Sequence, residues 1–316
     1  MKLRKILAPV LCVLIGFTSC KKDDDDDVVV TPPRDRGEQQ IADNDSIVKY
    51  LKTHYYNAAD FEDKTATSIT HFQIGTVVDG VIPDPDKNAL LFGSAALDSI
   101  SVEYANTNYN IYYLKLSEGK GDALTFADNV RLNYEGLTLD HVTFDSSANP
   151  TVFDLTGTVP GWSKIIPLFK TAETYTENTD GTVSYANHGV GVMFLPSGLA
   201  YFSQTQVNIP AYSPLIFKFD LFEMQQNDHD NDGVPSYLED LNGNGEFYTV
   251  DGFADDDTDG DGIPNFMDPD DDGDGVPTKR EDFDNDGYGD GDPTNDIGKN
   301  GIPKYLDPEE TEANKL

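Results

Sequence analysis

Read for chemistry alone, the stretch from Tyr134 to Phe217 is mostly aromatic and aliphatic. With 5 histidines and 2 cysteines in 316 residues, a nucleophile–His triad is hard to assemble, which argues against hydrolysis and acyl transfer. No glycine-rich strand-to-helix loop offers a phosphate cradle, and a net charge of -35 argues against nucleic acid as a ligand. Rotation about an X-Pro amide needs none of these devices. No bond is broken, and the barrier of roughly 18–20 kcal/mol is lost amide resonance. An apolar aromatic pocket disfavours the planar, dipolar ground state relative to the twisted amide, while a few donors fix the carbonyl.

The elements that must position these residues read as strands. Val130-Arg131-Leu132-Asn133-Tyr134 and Ile216-Phe217-Lys218-Phe219-Asp220-Leu221-Phe222 alternate with period two, the pattern of half-buried antiparallel strands. Turn-formers separate them: Asp180-Gly181, Pro196-Ser197-Gly198 and Ala211-Tyr212-Ser213-Pro214. The one helical stretch in this region is expected at 163–169. A small sheet wrapped on one helix, an α+β fold, accommodates all of this.

Over 110–224 the pieces Tyr134-Glu135-Gly136, Phe144-Asp145-Ser146-Ser147, Val159-Pro160-Gly161-Trp162, Leu195-Pro196-Ser197, Tyr201 and Ile209-Pro210 occur in an order that resembles an FKBP-type peptidyl-prolyl cis-trans isomerase. The resemblance implies an antiparallel sheet around a short helix, with no cofactor for the isomerisation and proline-containing polypeptides as clients. By similarity Trp162 floors the pocket, and Tyr134, Phe144, Phe153, Val159, Ile209 and Phe217 form its walls. Asp145 and Tyr201 supply the polar contacts, the tyrosine hydroxyl bonding a substrate carbonyl. Two positions depart from the family: Thr151 stands where an aromatic is usual, and Phe202 where glycine follows the tyrosine. The polar segment 170–191 is also longer than the family's compact loop. A non-catalytic binding or structural module of a cell-envelope assembly is the rival reading.

From residue 225 onward there are 28 acidic and 5 basic residues, and a 12-residue frame recurs. Asp228, Asp230, Asp232, Gly233 and Glu239 fit it, as do Asp257, Asp259, Asp261, Gly262 and Asp268, and then Asp270, Asp272, Asp274, Gly275 and Glu281. Weaker copies run through Asp240, Asn242, Asn244, Gly245 and Asp251, through Asp282, Asp284, Asp286 and Gly287, and through Asp296, Asn300, Gly301 and Asp307. Alternate carboxylates on a tight loop converge on one hard cation, and glycine permits the turn that brings the twelfth position round, so Ca2+ is the expected ligand. A Val-Pro or Ile-Pro follows the glycine in each full match, with little room for flanking helices between copies; the pattern resembles thrombospondin type 3 repeats without their cysteines. Few apolar side chains and so many like charges imply a tail with little regular secondary structure that stays extended without cations. Calcium-dependent adhesion through this tail is a further reading.

At the other end, Lys2, Arg4 and Lys5 precede an apolar run over 6–17 and then Thr18-Ser19-Cys20. This reads as a secretory leader too short to span a membrane. It resembles a bacterial lipoprotein processing site of a Bacteroidetes-like kind, with Cys20 the lipidated residue, and Lys21-Lys22 before Asp23 to Asp27 resembles an outer-membrane export signal. The expected plan is a leader at 1–19, an acidic flexible tether at 20–45, an extension at 46–109 opening on a helix at 46–57, the isomerase-like domain at 110–224 and the repeats at 225–316. The implied setting is an outer-membrane lipoprotein facing the cell surface or periplasm, touching the membrane through its anchor and envelope proteins through its tail.

Overall fold

The computed structural model describes residues 32–62, 67–281, 294, 296–311 and 313. The leader, Cys20, the acidic run behind it and the copy at Asp282, Asp284, Asp286 and Gly287 lie outside the described residues. Helix α1 (Arg36–Thr53) starts where the Asp35 carboxylate accepts a hydrogen bond from the Glu38 N–H at 2.9 Å. The helix expected at 46–57 is therefore corrected at both ends, and the flexible tether cannot extend to residue 45. Gln39, Gln40 and Asp43 are buried on the inner face of α1, and such a polar inner face conceals a helix from apolar periodicity. Beyond α1, β1 (His54–Tyr56) leads into α2 (Ala58–Glu62), and β1 pairs antiparallel with β2 (Ile74–Thr76) and β3 (Ala89–Leu90).

The chain continues through β4 (Leu97–Tyr104), β5 (Thr107–Ser117), β6 (Asn129–Thr138), β7 (Thr143–Asp154), α3 (Pro160–Ile165), β8 (Thr174–Glu177), β9 (Val183–Ala186), β10 (Gly189–Leu195) and β11 (Leu215–Gln225). Six of these strands form one antiparallel sheet in the order β4-β5-β10-β11-β6-β7. The expected boundary at residue 110 cuts through β5, whose hairpin with β4 places 97–109 in the main sheet rather than in an extension. The helix expected at 163–169 begins at Pro160, which suits the first helical position, and its last turn, Ile166–Leu168, tightens to a 3-10 helix around Pro167. The polar segment 170–191 is not a plain loop. It forms the exposed β8–β9 hairpin, tied to the sheet where Tyr185 stacks on Phe222 at 4.4 Å and donates to Glu223 at 2.6 Å.

Strand β10 reads Gly-Val-Gly-Val-Met-Phe-Leu and is buried on both faces. Met193 and Leu195 join a core with Trp162, Ile165, Ile166 and Phe169 from the α3 side. Val190, Val192 and Phe194 join a second core with Ile47, Tyr50 and Leu51 of α1 and Tyr56 of β1. β10 and most of β11 are thus buried on both faces rather than half-buried, because the segment before β4 covers the second face, while the start of β6 keeps the expected alternation.

The repeats form no strand or α-helix among the described residues. Short 3-10 turns at Ser236–Leu238, Asn265–Met267, Thr278–Arg280 and Lys304–Leu306 each follow a proline. The tail does not stand apart from the sheet. Phe247 and Phe266 stack at 3.9 Å and pack with Tyr237 against Phe126 and Ala127, a small apolar core that docks the repeats.

Candidate active site and metal centre

Eight of the nine expected pocket residues line one cavity of about 390 Å³: Tyr134, Phe144, Asp145, Phe153, Val159, Trp162, Tyr201 and Phe217. β6 contributes Tyr134, β7 contributes Phe144, Asp145 and Phe153, β11 contributes Phe217, and α3 lays Trp162 across the base. Trp162 is 4% exposed and meets Tyr134, Phe153 and Phe217 edge-to-face at 5.4, 5.5 and 5.3 Å between ring centroids. Such T-shaped packing aligns positive ring edges with negative faces and fixes the walls. Ile209 is the exception. It is buried in the same core as Trp162 and Phe217 but lines a neighbouring groove with Val142 and Pro210.

At the mouth, the Tyr134 hydroxyl donates to Asp145 Oδ2 at 2.5 Å, and Asp145 Oδ1 accepts the Ser146 N–H at 2.9 Å. Burial, then the adjacent Asp145 carboxylate, pushes the Tyr134 phenol up, so it stays a donor at any working pH. The same two causes raise Tyr201, whose hydroxyl has no hydrogen-bond partner among the described residues. The buried Trp162 Nε1 is likewise without a partner. Thr151 sits on the exposed edge strand, bonded to Ser147 Oγ at 2.9 Å, and takes no part in the cavity. Phe202 adopts φ +48°, a left-handed backbone in which glycine is unstrained, and its ring is directed to Tyr212 and Arg36 rather than into the cavity.

Sequence reasoning missed the residues that hold Tyr201 in place. The 3-10 turn Ser197–Leu199 precedes it, and buried Asp43 of α1 accepts hydrogen bonds there from Ser197 N at 2.7 Å and Ser197 Oγ at 2.6 Å. Arg36 adds a hydrogen bond to the Gly198 carbonyl at 3.1 Å and lies 4.2 Å over the Phe202 ring. No local pattern points to a partner more than 150 positions away.

In the tail, Asp228, Asp230 and Asp232 bring oxygens within 4.8 Å of one another, as do Asp257, Asp259 and Asp261, and Asp270, Asp272 and Asp274. The loops share one construction. The first carboxylate accepts the N–H of the sixth residue, 3.1 Å at Gly233 and 2.9 Å at Gly262, and the fifth accepts that of the seventh. Gly233, Gly262 and Gly275 stand at φ +103°, +97° and +94°, the turn that only glycine makes freely. Glu239 and Glu281 at the twelfth position are fully buried with both carboxylate oxygens unpartnered, and Asp268 is 8% exposed. Burial, followed by the neighbouring carboxylates, pushes Glu239 up to about 11 and Glu281 up to about 9. Orphaned buried oxygens with no nitrogen or sulfur donor fit a hard, oxygen-seeking cation such as Ca2+.

The weaker copy at 240–251 keeps the same backbone construction, Asp240 accepting the Gly245 N–H at 2.7 Å and Asn244 Oδ1 the Glu246 N–H at 2.7 Å, but its amide donors are engaged elsewhere. Asn242 and Asn244 point their Nδ2 donors at Asp255, and Asp240 accepts only backbone N–H groups, while Asp251 is exposed and joins no carboxylate cluster among the described residues. This loop grips α3 instead. Lys164 donates to the carbonyls of Asn244 and Gly245 at 2.9 and 3.1 Å and pairs with Glu246 at 3.2 Å. In the last copy Asn300 donates straight to Asp307 at 2.7 Å, and Asp296 is buried.

A family model described as BamM C-terminal matches residues 229–289, within the repeats. The FKBP-type 22 kDa peptidyl-prolyl cis-trans isomerase of Escherichia coli K12 is 25% identical over 122 residues, 38% of this chain and 52% of that one. The probable FKBP-type isomerase FkpA of Neisseria meningitidis serogroup B is 29% identical over 126 residues, 39% of this chain and 45% of that one. The chain thus spans about half the length of the curated relatives it matches. Among solved structures, FkpA from Escherichia coli is 19% identical at a TM-score of 0.34, covering 60% of this chain and 63% of that one. A peptidyl-prolyl isomerase from Pseudomonas syringae pv. tomato is 23% identical at 0.31, covering 37% and 76%. Over about 38% of its length, the chain is homologous to FKBP-type peptidyl-prolyl cis-trans isomerases.

Proposed function

We propose that this chain isomerises X-Pro bonds in secreted or cell-envelope polypeptides. The observation that carries the reading is the open, indole-floored cavity of about 390 Å³, whose ionisable groups among the described residues are Tyr134, Asp145 and Tyr201. A proline ring enters between Tyr134, Phe153 and Phe217 and rests on Trp162. The preceding amide then lies in an apolar setting where its planar dipole is poorly solvated, so twisting costs less than in water. Tyr201, raised and unpartnered, donates to a client carbonyl, and Asp145 pins the Tyr134 hydroxyl so that the wall does not close on the cavity. No cofactor enters the reaction.

On this reading Cys20 is lipidated and anchors the chain at the outer membrane, and the repeats act as a spacer or docking element. The oxygens of the 228–239, 257–268 and 270–281 loops hold Ca2+. A coupled proteolysis assay on a proline tetrapeptide tests the catalytic reading. Trp162→Leu and Asp145→Ala are expected to lower kcat/KM by roughly tenfold or more, about 1.4 kcal/mol of barrier, and Tyr201→Phe severalfold. A wild-type rate equal to the uncatalysed one leaves only a proline-binding module.

A further inference from the structure

The loop at 270–281 does more than repeat the frame. Its second residue, Asp271, is 1% exposed, and its carboxylate reaches back to the 228–239 loop, where Asp232 and Glu239 are both 0% exposed. One oxygen from each of the three lies within 4.8 Å of the others. Four of their oxygens have no hydrogen-bond partner: Asp232 Oδ2, Glu239 Oε1 and Oε2, and Asp271 Oδ1. Among the described residues none of the three is ion-paired, and none donates to another.

The loop's own construction does not require a carboxylate at this place. The second residue serves the frame through its backbone N–H, which meets the ninth side chain: His229 to Ser236 Oγ at 3.1 Å, Thr258 to Asn265 Oδ1 at 2.9 Å, Asp271 to Thr278 Oγ1 at 3.2 Å. Histidine and threonine fill that role in the other two loops. The extra Asp271 carboxylate has one oxygen held by Thr278 Oγ1 at 3.0 Å and the other free to face Asp232 and Glu239. Three buried like charges without a counter-ion are held together only at high cost, which a cation between them removes.

We propose that Asp232, Glu239 and Asp271 form a divalent-cation site between two repeats that are not neighbours in sequence, adjoining the Asp228–Asp230–Asp232 site and sharing Asp232 with it. The proposal rests on reading the repeats as calcium loops. Its ligands are hard oxygens alone, so Ca2+ is the cation, with Asp271 the ligand that locks the 270–281 loop onto the 228–239 loop. The repeats then close on themselves instead of running out as a string of independent loops.

The test uses the full chain and calcium alone, counting bound ions by equilibrium dialysis and following hydrogen exchange with and without a chelator. Asp271→Asn is expected to bind one ion fewer than wild type and to lose calcium-dependent protection in 228–239 and 270–281 together. Asp261→Asn, in the exposed 257–268 loop, is expected to leave the protection of 228–239 intact. Asp271→Glu, which keeps the charge on a longer stem, is expected to retain the ion count with about tenfold weaker affinity. An Asp271→Asn count equal to wild type overturns the site. Should that variant fail to fold, an unchanged affinity in Asp271→Glu overturns it equally. A wild-type chain that binds no calcium fails the calcium reading itself, and this site with it.

Discussion

Phe202 holds φ +48°, a left-handed backbone that glycine adopts freely, while Tyr212 meets its ring edge-on at 5.2 Å and Arg36 covers it at 4.2 Å. A non-glycine residue in the left-handed region costs of order 1 kcal/mol, which the ring contacts must offset. Phe202→Ala keeps the strain and loses the contacts, so it is expected to be less stable by roughly 2 kcal/mol. Phe202→Gly loses the contacts but relieves the strain, and it is expected to recover about 1 kcal/mol of that loss in denaturant titrations. A glycine variant no more stable than the alanine one would show that the backbone is unstrained.

Helix α1 matters to the cleft although none of its residues lines it. Asp43 is buried, and burial raises its carboxyl against the lowering effect of the Ser197 and Gln39 hydrogen bonds. Asp43→Ala strips acceptors from the Ser197 N–H and hydroxyl and is expected to cost about 3 kcal/mol, as buried hydrogen-bonded charges do. The damage should be local. Hydrogen exchange is expected to rise across 197–212, the segment that carries Tyr201, while β10 and β11 keep their protection. Uniform loss of protection through the sheet would mean that Asp43 supports the whole fold rather than this one segment. The strand pattern around Tyr134 and Phe217 was legible because period-two alternation is a local property, whereas the polar inner face of α1 was not.

Across the whole molecule, the repeats rest on the sheet through Phe126, Phe247 and Phe266, and Lys164 ties them to the helix that bears Trp162. Removing calcium should therefore leave the sheet folded while the acidic loops repel one another. With a chelator, proteolytic cuts are expected beyond residue 225 and not within 97–225, and adding calcium restores resistance. Asp259→Ala combined with Asp261→Ala is expected to lower the calorimetric calcium signal. A tail equally resistant with and without the cation would mean that its aromatic contacts alone order it.

The order of aromatic residues in the cleft and the twelve-residue acidic frame could be read from the chain alone, since the identity and spacing of near neighbours set both strand pattern and loop geometry. That Ile209 lines the neighbouring groove rather than the cavity does not follow from its place in the family pattern. Burial of both faces of β10, the anchoring of Ser197 by Asp43, the grip of Asn244 and Gly245 on Lys164 and the approach of Asp271 to Glu239 came only from the tertiary structure. Each joins groups far apart along the chain, and such pairings are settled by which surfaces find a partner when the layers close, a choice that leaves no trace in local periodicity.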